Sequence, residues 1–350
     1  MQWFYIFLMA GLLTFNSLGG WAHAASSKLD ELIAGAKKEG VIEFYGPSTL
    51  TPKGAQALAA AFNKKYGLNV TLNYSPSGNM TRDTGKVVGL SASGQPPEWD
   101  IMVVTDAHHG SLWIRKLHTP FDYKSLGVNP KIIEYDSGTV SIANQFALPT
   151  YNKKILPAKD VPKKWEDLLD PKWQGGKLGV INSTHHWARL AVGAWGEEKT
   201  TAFVKKLAAQ KPTLSRAGEM TQRLVLGEVL LSATLQDSQL HRAAETGAPL
   251  AFAEGIEPVI SPEYHVGVLK GAPHPSTGHL FVAFMTSPEA QELWEKYTGH
   301  SSAHVKGTKA YKYAQGKKVI FMKQDQAKLV DKIAREYGGI LGFQRGKKKK

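Results

Sequence analysis

The sequence predicts an α/β protein built from two units. Segments with a strand pattern alternate with segments that have a helical period, which is typical of a mostly parallel sheet covered by helices. The alternation begins again after an irregular stretch at residues 118–150. The length of 350 residues points the same way, because a domain commonly contains about 100–200 residues.

The first unit is expected to begin with a helix. Leu29, Leu32, Ile33 and Ala36 share one helical face, and Gly40 follows as a helix end. A strand–helix–strand–helix–strand series comes next, at residues 41–45, 51–66, 70–74, 82–90 and 100–104. Polar loops follow these strands, and the carboxyl ends of parallel strands commonly form a binding crevice.

The second unit repeats the alternation with more helix. A strand at residues 177–181 leads into three helical segments, at 187–195, 199–208 and 220–228. A strand at 229–235, further β material at 250–270 and a helix at 288–297 complete the series. This order suits a chain that crosses between the two units more than once.

Composition excludes several kinds of chemistry. Cysteine is absent, which excludes disulfides, zinc ribbons, Fe–S clusters, a thiol nucleophile and a lipidated cysteine anchor. The net charge is +13, but the last ten residues carry +5 of it and the other basic residues are scattered among acids. We therefore predict no nucleic-acid partner, and a disordered basic tail at residues 341–350.

The amino terminus is typical of an exported protein. Residues 4–15 form an uninterrupted apolar run, shorter than the roughly 17–25 residues that a helix needs to span a bilayer. Ala22-His23-Ala24 then fits a signal-peptidase site. We predict a signal peptide at residues 1–24 and a soluble periplasmic protein without a lipid anchor. A retained amino-terminal anchor is the alternative.

Motifs of common enzyme classes are missing. The chain contains no Gly-x-Ser-x-Gly elbow, no His-Glu-x-x-His, no phosphate-binding Gly-x4-Gly-Lys-Ser/Thr loop and no Gly-x-Gly-x-x-Gly. We therefore expect neither an enzyme nor a cofactor. An exported enzyme on the same fold stays open as an alternative.

Four segments resemble one known family, in order along residues 28–300. They lie at residues 29–45, 62–67, 165–175 and 271–291, and the run Trp165-Glu-Asp-Leu-Leu-Asp-Pro-Lys-Trp-Gln-Gly175 is the most specific of them. The chain resembles the extracellular solute-binding proteins of ABC importers, in the branch often labelled ferric-iron binding.

The resemblance implies a type II periplasmic-binding-protein fold. Each of two lobes would be a mixed sheet flanked by helices, with crossing hinge strands between them and the ligand trapped in the cleft. We expect lobe one at residues 25–135 plus 255–300, and lobe two at 136–254 plus 301–340. The expected partners are a small-molecule ligand and the transmembrane permease subunits, with the chain itself a monomer.

Candidate ligand-binding residues lie mainly where strands end. Hydroxyls and helix-start N–H groups can bind ligand oxygens, Arg216 can pair with an anion, and Trp187 can stack on a ligand. Helix capping, core packing and solvated surface charge are the alternatives at these positions. The full candidate set is Ser48, Thr49, Ser77, Gly78, Asp106, Tyr151, Asn182, Ser183, Thr184, Trp187, Arg216, Gln236, Asp237 and Glu254.

The sequence departs from iron-binding members of the family at one place. Those members carry near-adjacent tyrosines after a lobe-two strand, whereas residues 233–240 contain none. We therefore expect a small organic or phosphorus-containing anion as ligand. The alternative is a transition metal held by two facing histidine pairs, His108 with His109 and His185 with His186. Surface or helix-start histidines would explain the same pairs.

Overall fold

The computed structural model describes residues 19–343, with side chains from residue 28 onwards. Most of the predicted signal peptide (residues 1–18) and most of the predicted basic tail (residues 344–350) lie outside the described residues. Within the described part, no helix is both long and apolar enough to cross a membrane.

Helices and strands alternate along most of the chain. The helices are α1 (Gly19–Glu39), α2 (Thr51–Tyr66), α3 (Met80–Ala92), α4 (Asp106–Trp113), α5 (His185–Leu190), α6 (Glu197–Ala209), α7 (Ala217–Leu226), α8 (Asp237–Glu245), α9 (Pro275–Phe284), α10 (Pro288–Thr298), α11 (Lys309–Ala314) and α12 (Ala327–Leu341). The strands are β1 (Val41–Pro47), β2 (Thr71–Ser77), β3 (Ile101–Thr105), β4 (Ile133–Glu134), β5 (Thr139–Asn144), β6 (Ala147–Asn152), β7 (Leu178–Ile181), β8 (Thr213–Ser215), β9 (Leu231–Gln236), β10 (Leu250–Phe252), β11 (Val259–Ile260), β12 (Glu263–Val268) and β13 (Val319–Ile320).

The first sheet has the strand order β2-β1-β3-β12-β5-β4. Its strands β1, β2 and β3 are parallel, whereas β12 runs antiparallel to β3 and β5. Phe44, Phe62 and Phe281 are buried against the sheet, and the rings of Phe62 and Phe281 meet edge to face at 5.1 Å. This mixed sheet with its helices forms the first lobe.

The second sheet has the order β13-β11-β6-β9-β7-β8, and β10 pairs with β6. Strands β7, β8 and β9 are parallel, and β6 is antiparallel to β9. Trp165, Trp187 and Phe203 are part of its core. This sheet and its helices form the second lobe, so the two-lobed α/β architecture expected from the sequence is confirmed.

The chain crosses between the sheets at different points from those expected. Strand β5 hydrogen-bonds to β12 in the first sheet, although the expected division placed residues 136–254 in lobe two. Strand β11 pairs with β6 and β13 in the second sheet, although residues 255–300 were assigned to lobe one. The sheets therefore exchange chain at residues 145–146 and 261–262, and a third time between β12 and β13. Pairing between distant segments determines which sheet a strand joins.

Local sequence explains several element ends. Pro52 occupies the first turn of α2, where its missing N–H costs nothing, and Gly67 ends that helix in the left-handed conformation (φ 64°). The Ser287 side chain accepts a hydrogen bond from the Ala290 N–H at the start of α10. These signals determine where α2 ends and where both helices begin.

Candidate functional site

A cavity of about 470 Å³ lies between the two lobes. Its first-lobe wall comes from α3 and α4, and its second-lobe wall comes from the turn between β7 and α5 and from α12. Polar side chains on these walls include Thr81, His108, Arg115, Asn182, Ser183 and Thr184. The three consecutive residues predicted after the β7 strand are thus brought to the cavity together.

Two helix starts of the first lobe border this cavity. Helix α3 begins just after β2, and the Asn79 side chain caps it by accepting from the Arg82 N–H at 3.0 Å. Helix α4 begins directly at the end of β3, and its first turn contributes Ala107 and His108 to the wall. Since the N–H groups of a first helical turn carry partial positive charge, this wall favours anionic or strongly polar ligand atoms.

Asp106 pairs with Arg189 across the lobes. The guanidinium Nη2 of Arg189 donates to Oδ1 of Asp106, and both side chains are fully buried. Oδ1 also accepts from the Ala107 N–H at 2.8 Å, and the Tyr135 hydroxyl donates to the Asp106 carbonyl oxygen at 2.8 Å. Arg189 neutralises the charge of the Asp106 carboxylate. The ion pair links the two lobes in this arrangement.

One histidine of each predicted pair faces the cavity. His108 and His185 both line it. The ring of His108 hydrogen-bonds through Nδ1 to the Thr105 hydroxyl (2.7 Å) and through Nε2 to the Thr81 hydroxyl (3.2 Å). Burial, and then the charge of Arg189, lowers the pKa of His108 to about 4. Burial likewise lowers the pKa of His185, so both imidazoles are neutral near pH 7.

The other two histidines point into their own lobes. His109 is buried in the first lobe, with its Nδ1 3.0 Å from Nε2 of His118. His186 is buried in the second lobe, with its Nδ1 3.2 Å from the Thr234 hydroxyl. Adjacent helical residues do not face the same way, so of the two histidine pairs in the metal alternative only His108 and His185 line the cavity.

The described residues of the site do not form a preorganised set of metal ligands. Among residues 28–343, no group of three or more His, Cys, Asp or Glu side chains is arranged to hold a metal ion. Gln236 and Asp237 occupy the end of β9 and the start of α8, and the cavity lining described above does not include them. Asp237 accepts a hydrogen bond from the Phe146 N–H at 3.2 Å, which links it to a crossing segment.

Trp187 is a core residue rather than a stacking platform. Its side chain is wholly buried, and its ring meets Trp165 edge to face at 5.8 Å and Phe203 at 5.7 Å. The expectation that it stacks on a ligand is therefore wrong, because α5 turns this face of the helix toward the second-lobe core.

Loop residues after the first two strands have mixed surroundings. Ser48 and Gly78 are exposed. The Thr49 hydroxyl is buried and finds no hydrogen-bond partner among the described residues. The Tyr45 hydroxyl donates to Asp83 Oδ2 at 2.7 Å and accepts from Ser77 Oγ at 2.6 Å. These four candidates do not belong to the described lining of the interlobe cavity.

The remaining candidates lie in the second lobe. Arg216 is exposed at the start of α7. Tyr151 is half-buried in β6 and pairs with strands on both sides. Glu254 is exposed and accepts a hydrogen bond from the Tyr313 hydroxyl at 3.3 Å. Within residues 28–343, the cavity lining does not include them.

Sequence reasoning missed part of the cavity wall. Thr84 on α3, Arg115 after α4 and Asp331 on α12 all line it. For α12 a signal existed: its buried residues Val330, Ile333, Tyr337 and Leu341 recur every three or four positions, which is the helical period. Only the packing of α12 between the lobes makes that helix part of the site.

The fold and the interlobe cavity define a two-lobed binding protein of the type II periplasmic class. A model of the bacterial extracellular solute-binding protein family matches residues 57–304. The chain belongs to this family.

One relative matches only part of the chain. An uncharacterized protein of Haemophilus influenzae is 30% identical over 161 residues, which is 43% of this chain and 45% of that protein. The match therefore spans less than half of that relative's length.

Solved structures match over most of the chain. Iron-bound HitA from Pseudomonas aeruginosa has a TM-score of 0.69 at 19% identity, covering 85% of this chain and 99% of HitA. An ABC transporter substrate-binding protein from Bradyrhizobium japonicum has a TM-score of 0.70 at 18% identity, covering 86% and 99%. Trichodesmium IdiA (FutA), in complex with iron and citrate, has a TM-score of 0.66 at 18% identity, covering 87% and 99%. At these identities the likeness is one of fold.

Proposed function

We propose that this chain is the solute-binding subunit of an ABC importer. It captures a small solute between its lobes in the periplasm and delivers it, unchanged, to a transmembrane permease. The observation that carries the proposal is the cavity of about 470 Å³ whose walls come from both lobes. A site built this way exists only while the lobes are together, as expected for capture by closure.

The proposed ligand is a small organic or phosphorus-containing anion. Hydroxyl and amide groups of Thr81, Asn182 and Ser183 supply hydrogen bonds from both walls. Arg115 adds a positive charge at the cavity, and its Nη1 donates to the Ser111 carbonyl oxygen at 2.7 Å, which orients the group. A guanidinium with remaining N–H donors is well suited to a carboxylate or phosphonate.

The acidic groups near this cavity already have partners. Asp331 on the α12 wall pairs with Arg335 one helical turn further on. Asp106, behind the α4 wall, pairs with Arg189. Because these carboxylates are neutralised within the protein, the cavity retains a bias toward negatively charged ligands.

A transition metal is the second candidate, and two observations favour it. The neutral imidazoles of His108 and His185 lie on opposite walls of the same cavity, and neutral imidazole is a good metal ligand. The similar solved structures include iron-bound HitA and a ferric binding protein from Campylobacter jejuni. The similar protein IdiA (FutA) is in complex with both iron and citrate. The experiment below therefore includes a metal together with an organic anion.

Thermal unfolding of the purified protein separates the two candidates. Ligand that binds only the folded state raises its melting temperature. Phosphate, methylphosphonate, acetate and citrate are compared at matched ionic strength with Fe(III), Fe(III)-citrate, Zn²⁺ and EDTA. We expect an anion to raise the melting temperature without metal. If EDTA lowers it and no anion alone raises it, the metal candidate replaces the anion. If none of these shifts it, the solute class is wrong.

Variants locate the binding site. Thr81→Ala and Ser183→Ala each remove one wall hydroxyl, and each should weaken binding about fivefold, the typical worth of a hydrogen bond. Ser91→Ala on the exposed end of α3 is the matched control and should leave affinity unchanged. Equal effects from all three would place the ligand elsewhere.

An exported enzyme on the same fold is the alternative from another class. The bound ligand, recovered after long incubation, is expected to be chemically unchanged. Turnover of the ligand by the purified protein that disappears on Ser183→Ala, at an unchanged melting temperature, would overturn the binding-only proposal. We also expect the protein to be a monomer in solution. Because it would deliver its ligand to a permease, cells that lack this chain should lose uptake of the same ligand.

A further inference from the structure

A second cavity, of about 630 Å³, opens at the other end of α4. Its accessible apolar wall is formed by Trp113, Ile114 and Pro120, and the buried Tyr135 lies behind it. Three exposed lysines also line it: Lys116 after α4, Lys270 after β12, and Lys328 in the first turn of α12. The cavity thus combines an aromatic wall with several cationic groups.

The three lysines in the lining of this cavity outnumber its one acid. No hydrogen bond or ion pair engages the ammonium groups of Lys116, Lys270 or Lys328 within residues 28–343. The acid in the lining is Asp136, and both of its oxygens are occupied. Oδ2 accepts from Trp113 Nε1 and Oδ1 accepts from Gln324 Nε2, each at 2.7 Å. A ligand carboxylate in this cavity could therefore form ion pairs with these lysines.

The aromatic wall is held in place before any ligand arrives. The rings of Trp113 and Tyr135 lie 5.8 Å apart and are tilted by 53°. Asp136 fixes the indole, and the Asp106 carbonyl oxygen fixes the Tyr135 hydroxyl at 2.8 Å. Rigid aromatic groups lose little entropy on binding, so a planar apolar ligand would bind to a preorganised surface.

The backbone around this cavity adopts an unusual conformation. Lys116, Tyr135 and Asp136 have φ values of 56°, 56° and 55°. This left-handed region is uncommon for residues other than glycine, and especially so for a bulky one such as tyrosine. Such conformations cluster at functional sites, where the surrounding structure maintains them.

From these features we infer a second ligand site that takes a planar aromatic carboxylate. Its rings would pack on Trp113, which the buried Tyr135 supports from behind, and its carboxylate would lie among the lysines. The site is separate from the interlobe cavity because the two share no lining residue. Helices α4 and α12 contribute different residues to each cavity, so this inference does not depend on the proposed solute.

Calorimetric titration of the purified protein with naphthalene-2-carboxylate tests this site. The uncharged 2-naphthamide has the same ring system and should bind about tenfold more weakly, since it cannot pair with lysine. The double variant Lys270→Gln/Lys328→Gln leaves Lys116 in place and should lower the affinity for the carboxylate most of the way to that for the amide. Both substitutions are on the surface, so the variant should retain the parent melting temperature.

Two controls make the result decisive. Lys205→Gln/Lys206→Gln removes the same charge from the exposed face of α6 and should leave binding unchanged. Asn182→Ala/Ser183→Ala disrupts the interlobe cavity and should also leave it unchanged. The inference is overturned if the carboxylate does not bind, if both lysine variants weaken it equally, or if only the interlobe variant abolishes binding.

Discussion

Asp106 at the start of α4 and Arg189 near the end of α5 form an ion pair between the lobes, with both side chains fully buried. Removing two charges from water costs several kcal/mol per ion, and their attraction compensates only while both are present. The pair therefore favours the arrangement in which α4 and α5 are in contact. It disfavours any arrangement in which one of the two charges stays buried without the other.

Breaking this pair on one side should destabilise the protein. Asp106→Asn leaves the Arg189 charge buried without an anionic partner. The expected loss is about 3–5 kcal/mol in the free energy of unfolding, measured by urea denaturation. A loss below about 1 kcal/mol would mean that the charges are hydrated in solution.

A double variant and an exposed pair serve as controls for that experiment. Asp106→Leu combined with Arg189→Met removes both charges and should recover most of the lost stability. Lys332→Gln breaks the exposed pair with Glu336, where a loss of about 0.5 kcal/mol or less is expected. A double variant as unstable as Asp106→Asn would contradict the role assigned to the buried charge.

Acid should destabilise the protein through its buried neutral histidines, and His279 offers a test far from the cleft. Burial lowers the pKa of His279 to about 4. Below about pH 6.5, the usual pKa of histidine, this ring is protonated in the unfolded chain but stays neutral in the folded protein. The free energy of unfolding therefore falls by up to about 1.4 kcal/mol per pH unit. His279→Gln should remove that share of the slope, measured by urea denaturation at several pH values between about 5 and 7. An unchanged slope would contradict the assignment.

His304 should show the opposite pH dependence. Its hydrogen bond to the Glu263 carboxylate, 3.1 Å from Nε2, raises the pKa of His304. A raised pKa contributes stability that is fully present below about pH 6.5 and is lost as pH rises through the folded value. His304→Gln should therefore destabilise the protein more at about pH 6 than at about pH 9. The reverse order in urea midpoints would show that the imidazole is neutral in the folded state.

The strands and the polar turn of the site were predictable from local sequence. The apolar segment at residues 41–45 predicted β1, which spans Val41–Pro47. Asn182, Ser183 and Thr184 were expected at the cleft because they follow a strand of a parallel set, and they line the cavity. Both inferences need only neighbouring residues and the geometry shared by parallel strands.

The rest depends on contacts between distant residues. Strand β5 carries Thr139 and Asn144, which look like loop residues in sequence but are fully buried. Their hydrogen bonds go to His265 (3.0 Å) and Glu263 (3.0 Å), more than a hundred positions away. Arg189 was likewise not a candidate, because only the meeting of α4 and α5 gives it Asp106 as a partner. Local patterns do not report such pairings.

Thr84 on α3 tests whether the interlobe cavity is built for a polar ligand. Its hydroxyl is buried, lines that cavity and finds no hydrogen-bond partner among the described residues. An unsatisfied buried hydroxyl costs about 1–3 kcal/mol, so Thr84→Val should leave the ligand-free protein equally stable or more stable. If the hydroxyl is reserved for ligand, the same variant should reduce the melting-temperature shift that saturating anion produces.

The matched control for Thr84 is a buried threonine whose hydroxyl already has a partner. Thr200 in α6 donates to the Gly196 carbonyl oxygen at 2.7 Å. Thr200→Val should lower the stability of the ligand-free protein by about 1 kcal/mol and leave the ligand-induced shift intact. The opposite outcome, in which Thr84→Val destabilises the free protein and preserves the shift, would mean that water or the fold itself satisfies the hydroxyl. Measuring both variants with and without ligand separates a hydroxyl that serves the fold from one that serves the ligand.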